Sequence, residues 1–457
     1  MQKAKSQAKR NRAARAGMVA LAVVGSAALS GCVGPTIITG DQPLEPPVVD
    51  FTGVEPADEI TFWSNHPGAS IDFEREVIAN FEAETGIKVN LVTAGASYPE
   101  VAQKFQTAQI SGDAGDLVVL SDATWFPAYL NGSIIALDTL FEAADISTDG
   151  YWPALYEDYL YEGYHFAVPY ARSTPLFFYN KEHYAAAGLE DKAPETWEEF
   201  REISQTLADA NLGAAPFGYP PEANYPAWSM SNLVWGYGGA WSDEWDLNTI
   251  SDPNTVEAVT FAQNLVKDKL ARVLSGPPST DFAAGAVSQT VDSTGTLGGI
   301  LDTASFEVGV GFLPLGPTGD TQVVPTGGAG VAIASKSSPE RQLAAGIFAT
   351  YLTNAENTAK YSALTGYLPV QQDADMTEVY KEKPQFETAV NQLARARSQD
   401  WARVFLPGGD LAIGKGLVKV LTTNTDVQSE MEETETSLKA LFDRDLARLL
   451  GADQFGD

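Results

Sequence analysis

The side chains with the clearest chemical potential are one arginine, one carboxylate and a group of hydroxyls. Arg403 stands between Trp401 and Phe405, and an arginine among apolar neighbours needs an anionic or carbonyl partner. Residues 292–297 read Asp-Ser-Thr-Gly-Thr-Leu and turn from a predicted strand into a predicted helix. Free N–H groups and hydroxyls at that helix start suit an anionic oxygen, although an ordinary Ser/Thr N-cap has the same composition. Asp122 ends a buried strand, where its carboxylate can face a cleft.

Signals for catalysis, metal binding and cofactor binding are weak. The residues that most often bind metals, His66, His165, His183 and Cys32, lie far apart and lack metal-ligand spacing. The glycine-rich stretch 325–333 lacks both the dinucleotide fingerprint and a P-loop lysine. No G-x-S-x-G elbow is present. We therefore expect no metal and no cofactor. Acidic pairs such as Glu198-Glu199 would suit an exported glycosidase, and this enzyme is the alternative to a binding function. Such pairs also arise by chance in so acidic a chain.

The charge of the chain excludes some partners. Its 457 residues include 60 acidic and 29 basic side chains, which gives a formal net charge of −31. Such a surface repels nucleic acid and anionic lipid, so neither is expected as a partner. It also repels an anionic solute at long range, so any anion site must be built from local donors.

The N-terminus has the features of an export signal. Six Lys and Arg residues precede an apolar stretch, Met18 to Ala28, that is too short to span a membrane. Leu29-Ser30-Gly31-Cys32 then resembles the bacterial lipobox, in which the cysteine is diacylated and becomes the first residue after cleavage. Cys32 is the only cysteine, which favours this interpretation over a plain secretory signal. We predict a lipoprotein signal peptide over 1–31 and, because prolines are frequent, a flexible tether over 32–57.

The folded part begins with a predicted βαβαβ pattern. Strands are expected over 60–63, 87–92 and 116–120, with helices over 73–84 and 99–109 between them. This order predicts a parallel sheet with helices on both faces. Ligands in such sheets bind beyond the carboxyl ends of the strands, where Asn65, Tyr98 and Asp122 stand.

An extended stretch between Phe166 and Lys181 divides the chain. Two prolines disfavour helix there, and a buried aromatic strand is predicted over 176–179. A helix should begin near Lys181 and end at Gly188, and Thr196 with Glu199 forms a capping box for the next helix. Seven Tyr and Trp residues follow within 219–245, most of them expected in the core and one or two in the cleft. Further helices are predicted over 253–270 and 426–450, and a strand over 288–291.

Several short motifs together resemble one protein family. They are Tyr179-Asn180-Lys181, Ala187-Gly188-Leu189, Pro194-Glu195-Thr196-Trp197-Glu198-Glu199-Phe200 and Thr365-Gly366-Tyr367-Leu368-Pro369. Their order is similar to that in the extracellular solute-binding proteins of ABC importers. Arg172-Ser173-Thr174-Pro175 is most similar to the glycerol-3-phosphate and glycerophosphodiester binders of that family. Trp63-Ser64-Asn65-His66 departs from the Trp-His-Ser that the family commonly has after its first strand.

The resemblance implies an α/β fold of the two-lobed, type II periplasmic-binding-protein kind, with a hinge of crossing strands near 167–175, 325–330 and 365–370. Lobe 1 would comprise 58–170 and 327–372, and lobe 2 would comprise 171–326 and 373–457. A monomer would close on its solute and deliver it to the transmembrane subunits of an ABC permease, without catalysis.

The resemblance also implies a ligand set. It comprises Tyr98, Asp122, Ser173, Trp228, Ser293, Thr294, Gly328, Tyr367 and Arg403. Asp122 would accept hydrogen bonds from glycerol hydroxyls. Phosphate would be held by the hydroxyls of Ser173, Ser293 and Thr294, the N–H of Gly328, and the side chains of Tyr367 and Arg403. The alternative solute is a neutral sugar or oligosaccharide.

Overall fold

The structure is a computed structural model that describes residues 46–65, 69–112, 114–319 and 322–450. The predicted signal peptide, the lipobox with Cys32 and the side chain of His66 lie outside the described residues. Strands and helices are numbered below in chain order within the described ranges.

The strands are β1 (Glu59–Ser64), β2 (Lys88–Thr93), β3 (Leu117–Ser121), β4 (Leu160–Tyr161), β5 (Tyr164–His165), β6 (Val168–Ser173), β7 (Pro175–Asn180), β8 (Ala215–Tyr219), β9 (Ala271–Val273), β10 (Val287–Ser293), β11 (Val308–Gly311), β12 (Val324–Pro325), β13 (Gly327–Ile333) and β14 (Ala396–Arg397).

The helices are α1 (Ala69–Thr85), α2 (Tyr98–Ser111), α3 (Trp125–Leu130), α4 (Asp138–Ala143), α5 (Pro153–Tyr156), α6 (Lys181–Ala187), α7 (Trp197–Ala210), α8 (Pro226–Gly236), α9 (Pro253–Lys267), α10 (Pro278–Ala283), α11 (Leu297–Thr303), α12 (Pro339–Leu352), α13 (Ala355–Thr365), α14 (Thr377–Glu382), α15 (Gln385–Asn391), α16 (Trp401–Val404), α17 (Gly409–Thr422), α18 (Val427–Asp445) and α19 (Ala447–Leu450). Short 3₁₀ helices include Thr294–Thr296, between β10 and α11.

Two five-stranded sheets organise the molecule. The first sheet has the strand order β2-β1-β3-β13-β6 and the second has the order β11-β7-β10-β8-β9. The predicted parallel βαβαβ unit is present, since β1 pairs in parallel with both β2 and β3. Helices α1, α12 and α13 pack together beside the first sheet, and α7, α8, α9 and α10 pack on the second. This is the predicted α/β fold with two lobes.

The chain crosses between the sheets where the sequence predicted it. Strand β6 belongs to the first sheet and β7, one residue further on, belongs to the second. The return crossing at Thr326 leads into β13, which pairs with β6 and β3 in antiparallel fashion. The third segment contacts the first through Leu368, whose N–H donates to the carbonyl of Arg172 at 2.7 Å. All three predicted crossing segments therefore meet at one place. The lobe boundaries named above stay a prediction.

Local signals set the ends of α6 and α7. Gly188 ends α6 in the left-handed conformation with φ of 73°, as the sequence predicted. The Thr196 hydroxyl accepts the N–H of Glu199 at 3.1 Å at the start of α7. The Glu199 carboxylate reaches back, as a capping box requires: it accepts the N–H of Glu195 at 2.6 Å, and, against the raising effect of burial, the backbone N–H groups of Glu195 and Thr196 both act to lower its pKa.

The segment 46–57 corrects one prediction. It was expected to belong to the flexible tether, but it packs on the domain. Phe51 is 3% exposed, the Val49 carbonyl accepts the Thr139 hydroxyl at 3.0 Å, and the Ala57 N–H donates to Glu340 at 2.9 Å. Proline frequency indicated an irregular backbone but did not show that a phenylalanine within it is buried. Within the described residues, no helix has the length and apolarity needed to cross a membrane.

Candidate binding pocket

A cavity of about 200 Å³ lies where the two sheets approach each other. Its walls come from the ends of β3, β6 and β13 in the first sheet and from β10 and α8 beside the second. Eight of the nine residues predicted from the sequence line it: Tyr98, Asp122, Ser173, Trp228, Ser293, Gly328, Tyr367 and Arg403. Residues up to about 300 positions apart in the chain are thus brought to one cavity.

Arg403 lies on the short helix α16 and is 2% exposed. Its Nη2 donates to Asp122 Oδ2 at 2.5 Å and also to Gln399, and its Nη1 donates to Asp410 Oδ1 at 3.0 Å. Its Nε is buried and has no hydrogen-bond partner among the described residues. The prediction that this arginine needs an anionic partner is confirmed, and the partners present are two carboxylates.

The ion pairs of Arg403 shape the electrostatics of the cavity. Burial acts to lower the pKa of Arg403, but Asp122 and Asp410 outweigh it and raise the pKa above its ordinary value. Burial raises the pKa of Asp410, against the lowering effect of Arg403. Because two carboxylates face one guanidinium, its positive charge is fully compensated within the protein, and an anionic ligand must compete for it.

Asp122 directly follows β3 and is held against the hinge. Its N–H donates to the Gly328 carbonyl at 3.0 Å, and its Oδ2 accepts the Gln399 amide at 3.0 Å as well as Arg403. Helix α16 packs through α17 on the helices of the second sheet, whereas β3 belongs to the first sheet. The Asp122–Arg403 pair therefore connects the two sides of the cleft.

Gly328 lies on β13 opposite Arg172 of β6, with φ of 97°. A Cβ atom at this position would lie 2.0 Å from the carbonyl oxygen of Ala171, so only glycine fits. Ser173, one residue further along β6, is buried and pairs with Gly327. The hinge thus offers backbone and a hydroxyl to the cavity at close range.

Tyr98 and Tyr367 meet on one wall of the cavity. Their hydroxyl oxygens are 3.1 Å apart, and Tyr367 stacks on Tyr361 with ring centroids 5.7 Å apart. The Tyr367 ring passes so close to Gly295 that a Cβ there would lie 2.7 Å from it. Burial and, to a smaller extent, the Asp292 carboxylate raise the pKa of Tyr367, while its hydrogen bond with Tyr98 lowers it. Both hydroxyls stay neutral and can donate or accept.

Ser293 and Thr294, which the sequence placed together, face different surroundings. The Ser293 hydroxyl accepts the Gly295 N–H at 3.0 Å, as an N-cap does, and this leaves its own proton for a cavity ligand. Thr294 is fully buried and does not line the cavity. Its backbone N–H donates to the Thr174 carbonyl at 3.0 Å, and its hydroxyl accepts the Thr174 N–H at 3.4 Å. The structure thus contradicts the prediction that the Thr294 hydroxyl faces a ligand, because this side chain joins β10 to the hinge.

The aromatic region 219–245 divides as expected into core and cavity. Trp228 lines the cavity, with its indole N–H donating to the Thr326 carbonyl at 2.9 Å in the second crossing. Trp235, Trp241 and Trp245 are buried in the core. Tyr225, another of the seven aromatic residues in this region, also lines the cavity and adopts a left-handed conformation with φ of 54° at the start of α8.

Asp292 also lines the cavity, although no ligand role was predicted for it from the sequence. It precedes Ser293 at the carboxyl end of β10, and Tyr225 lies in the loop after β8. Both positions follow the rule that ligands bind beyond the carboxyl ends of strands, so that rule could have found them. Among the described residues no cluster of His, Cys, Asp and Glu could hold a metal ion.

Fold and cavity together define a two-lobed receptor for a small solute. The family model of bacterial extracellular solute-binding proteins matches residues 76–388. The chain belongs to this family, whose members bind small solutes outside the cell membrane for ABC importers, as the sequence motifs implied.

Individual relatives agree with this assignment. The chain is similar to UgpB of Mycobacterium tuberculosis, solved in complex with glycerophosphocholine, with 40% identity, a TM-score of 0.81, and coverage of 85% of this chain and 99% of that one. It is 25% identical to the sn-glycerol-3-phosphate-binding periplasmic protein UgpB of Brucella melitensis over 73% of this chain and 81% of the relative. The GacH receptor of Streptomyces glaucescens, solved with acarbose, shares the fold at 22% identity and a TM-score of 0.73, covering 85% of this chain and 99% of that one.

Proposed function

We propose that this chain captures glycerol-3-phosphate or a glycerophosphodiester such as glycerophosphocholine and presents it, chemically unchanged, to an ABC permease. The observation that carries the proposal is the convergence of eight residues, inferred for this solute class, on one cavity between the sheets. The similarity to proteins named for glycerol-3-phosphate and solved with glycerophosphocholine supports the same solute class.

In the proposed complex, each part of the cavity has one task. Asp122 accepts hydrogen bonds from glycerol hydroxyls. Ser173, Ser293 and the Gly328 N–H hold phosphate oxygens together with Tyr98, Tyr367 and Arg403. Trp228 gives a flat apolar face for C–H groups or a cationic head group. Thr294 is left out of this set because its side chain is turned to the hinge.

A thermal-shift screen tests the solute class. We expect glycerol-3-phosphate or glycerophosphodiesters to raise the melting temperature, whereas disaccharides leave it unchanged. A ligand at a hundred times its dissociation constant adds about 2.7 kcal/mol to the free energy of unfolding. Stabilisation by disaccharides alone would favour the alternative neutral-sugar receptor. Release of a reducing sugar from an oligosaccharide during incubation would favour the exported glycosidase.

Anchoring through Cys32 is tested separately. The lone cysteine closes Leu29-Ser30-Gly31 after an apolar stretch, so its thiol is the one available for a thioether to lipid. We expect Cys32→Ala to release the protein into the medium or to leave it unprocessed, because the diacyl anchor cannot form. Fractionation followed by mass measurement checks this. A variant found in the membrane fraction at the mature mass would exclude the lipoprotein assignment.

Closure of the lobes is the third expectation. The three crossing segments meet at Arg172, so the two sheets can rotate about a common hinge. Small-angle scattering should give a smaller radius of gyration with glycerophosphocholine than without it, for a protein that stays monomeric. An unchanged radius at saturation would contradict closure but not binding.

A further inference from the structure

The charges on the cavity wall affect which solute fits. The charged side chains among the lining residues are Asp122, Asp292 and Arg403. Arg403 already contacts Asp122 at 2.5 Å and, behind the wall, Asp410 at 3.0 Å. The wall therefore carries an excess of negative charge, although the proposed solutes all contain an anionic phosphate.

Asp292 is the source of that excess. One oxygen of its carboxylate accepts the N–H of Ser279 at the start of α10, and the other accepts the N–H of Ser293, both at 2.7 Å. It forms no ion pair with any residue in the described part of the chain. Burial raises its pKa to about 6, against the lowering effect of the two backbone N–H groups and the Ser279 side chain, which leaves the carboxylate mostly ionised at neutral pH. Its negative charge lies beside Ser293, one of the groups proposed to hold phosphate.

The surroundings of Asp292 suit a cation. The Tyr367 ring is close enough for the Asp292 charge to act on its hydroxyl, and Trp228 and Tyr225 add aromatic faces to the same cavity. A cavity lined by a carboxylate and by aromatic rings attracts a quaternary ammonium group by charge and by cation–π interaction. A phosphate monoester brings two negative charges and no cation, so the same carboxylate repels it.

We propose that Asp292 is a charge-selecting residue, which makes the cavity favour a glycerophosphodiester with a cationic head group over the dianionic phosphate monoester. This inference rests on the proposed function and narrows it to zwitterionic diesters. Its physical basis is that Arg403 is already neutralised inside the protein, so the cation that balances the wall comes from the solute.

Titration calorimetry at neutral pH tests the inference with three ligands that share one glycerol phosphate unit. They are glycerophosphocholine, which is zwitterionic; glycerophosphoglycerol, a diester without a cation; and glycerol-3-phosphate, the dianion. The wild-type protein should bind them in that order of decreasing affinity. Equal or tighter binding of glycerol-3-phosphate would overturn the inference while leaving the proposed function intact. Absence of binding to all three would overturn the proposed function, and the inference with it.

The variant Asp292→Asn keeps the shape of the side chain and removes its charge. It should strengthen glycerol-3-phosphate binding roughly tenfold and weaken glycerophosphocholine binding several-fold, because one like charge and one counter-charge are lost at short range. Asp281→Asn is the matched control. It also removes one carboxylate, from the helix α10 that Asp292 contacts, but Asp281 does not line the cavity, so all three affinities should change little. An Asp292→Asn variant that shifts all three affinities by the same factor would show a purely structural residue. The wild-type series decides the question even if the variant unfolds.

Discussion

Replacing Arg403 by alanine is expected to abolish solute binding and to destabilise the fold at the same time. The guanidinium is buried against Asp122 and Asp410, so its removal leaves two carboxylates without a counter-ion. Breaking a buried ion pair in this way costs roughly 3–5 kcal/mol of stability. Loss of a hydrogen-bonded charge partner of phosphate costs roughly 2–5 kcal/mol of binding free energy. Titration calorimetry on the folded fraction, measured beside a melting curve, separates the two effects.

Two further variants sharpen this result. Arg403→Lys keeps the charge but loses the planar fork that reaches two partners, so we expect markedly weaker binding with a smaller loss of stability. Asp410→Asn removes an acid that does not line the cavity, and freeing the guanidinium should leave anion binding equal or stronger. Near-normal affinity in folded Arg403→Ala would mean that Arg403 only holds the two sides of the cleft together.

Gly328→Ala is expected to be the most destabilising single methyl addition in the hinge. The backbone has φ of 97°, and the new Cβ would lie 2.0 Å from the Ala171 carbonyl oxygen. The backbone conformation alone costs roughly 1–3 kcal/mol for a residue other than glycine, and the clash must in addition separate β13 from β6. Denaturant unfolding measures the loss, and glycerophosphocholine binding should fall with it because Gly328 lines the cavity.

Two other glycines separate the cost of the backbone conformation from the cost of the steric clash. Gly163 also has positive φ, at 83°, but open space around its Cβ position, whereas Gly276 has open space and no positive φ. Gly163→Ala should show the backbone cost alone, and Gly276→Ala should be close to neutral. If Gly328→Ala is no less stable than Gly163→Ala, the two hinge strands relax around the methyl group and the close approach has no energetic consequence.

The elements of the fold could be predicted because their signals are local. Gly188 ends a helix and Thr196 starts one through contacts within three or four residues, and the first βαβαβ unit follows from apolar periodicity. The capping box shows how far such local signals reach. Thr196 forms its bond as predicted, and the Glu199 carboxylate interacts with the N–H of Thr196 but is shared with that of Glu195, a second donor that the motif does not specify.

The arrangement within the cavity could not be predicted from such signals. The Asp122–Arg403 pair joins residues 281 positions apart, and nothing near either residue specifies the other. The family resemblance grouped Thr294 with Ser293, but the two neighbouring side chains point in different directions. The Ser293 hydroxyl lies at the cavity, whereas the Thr294 hydroxyl accepts the N–H of Thr174. The sequence shows Asp292 only as part of a predicted turn, whereas its position in the cavity wall depends on how the end of β10 packs against α10.

Arg172 gives the hinge its mechanical character. This fully buried residue lies in the first crossing segment. It pairs with Gly328 of the second crossing segment, and its carbonyl accepts the N–H of Leu368 in the third. Its guanidinium is held in turn by Asp158 and by the Tyr159 hydroxyl at 2.9 Å. Three segments joined at one residue cannot bend independently, so we expect the two sheets to move as units about this point when the cleft closes on a solute. If the lobes close as proposed, different solutes would bring the two sheets to a similar closed arrangement, and a permease would then recognise that arrangement instead of the chemical identity of the solute.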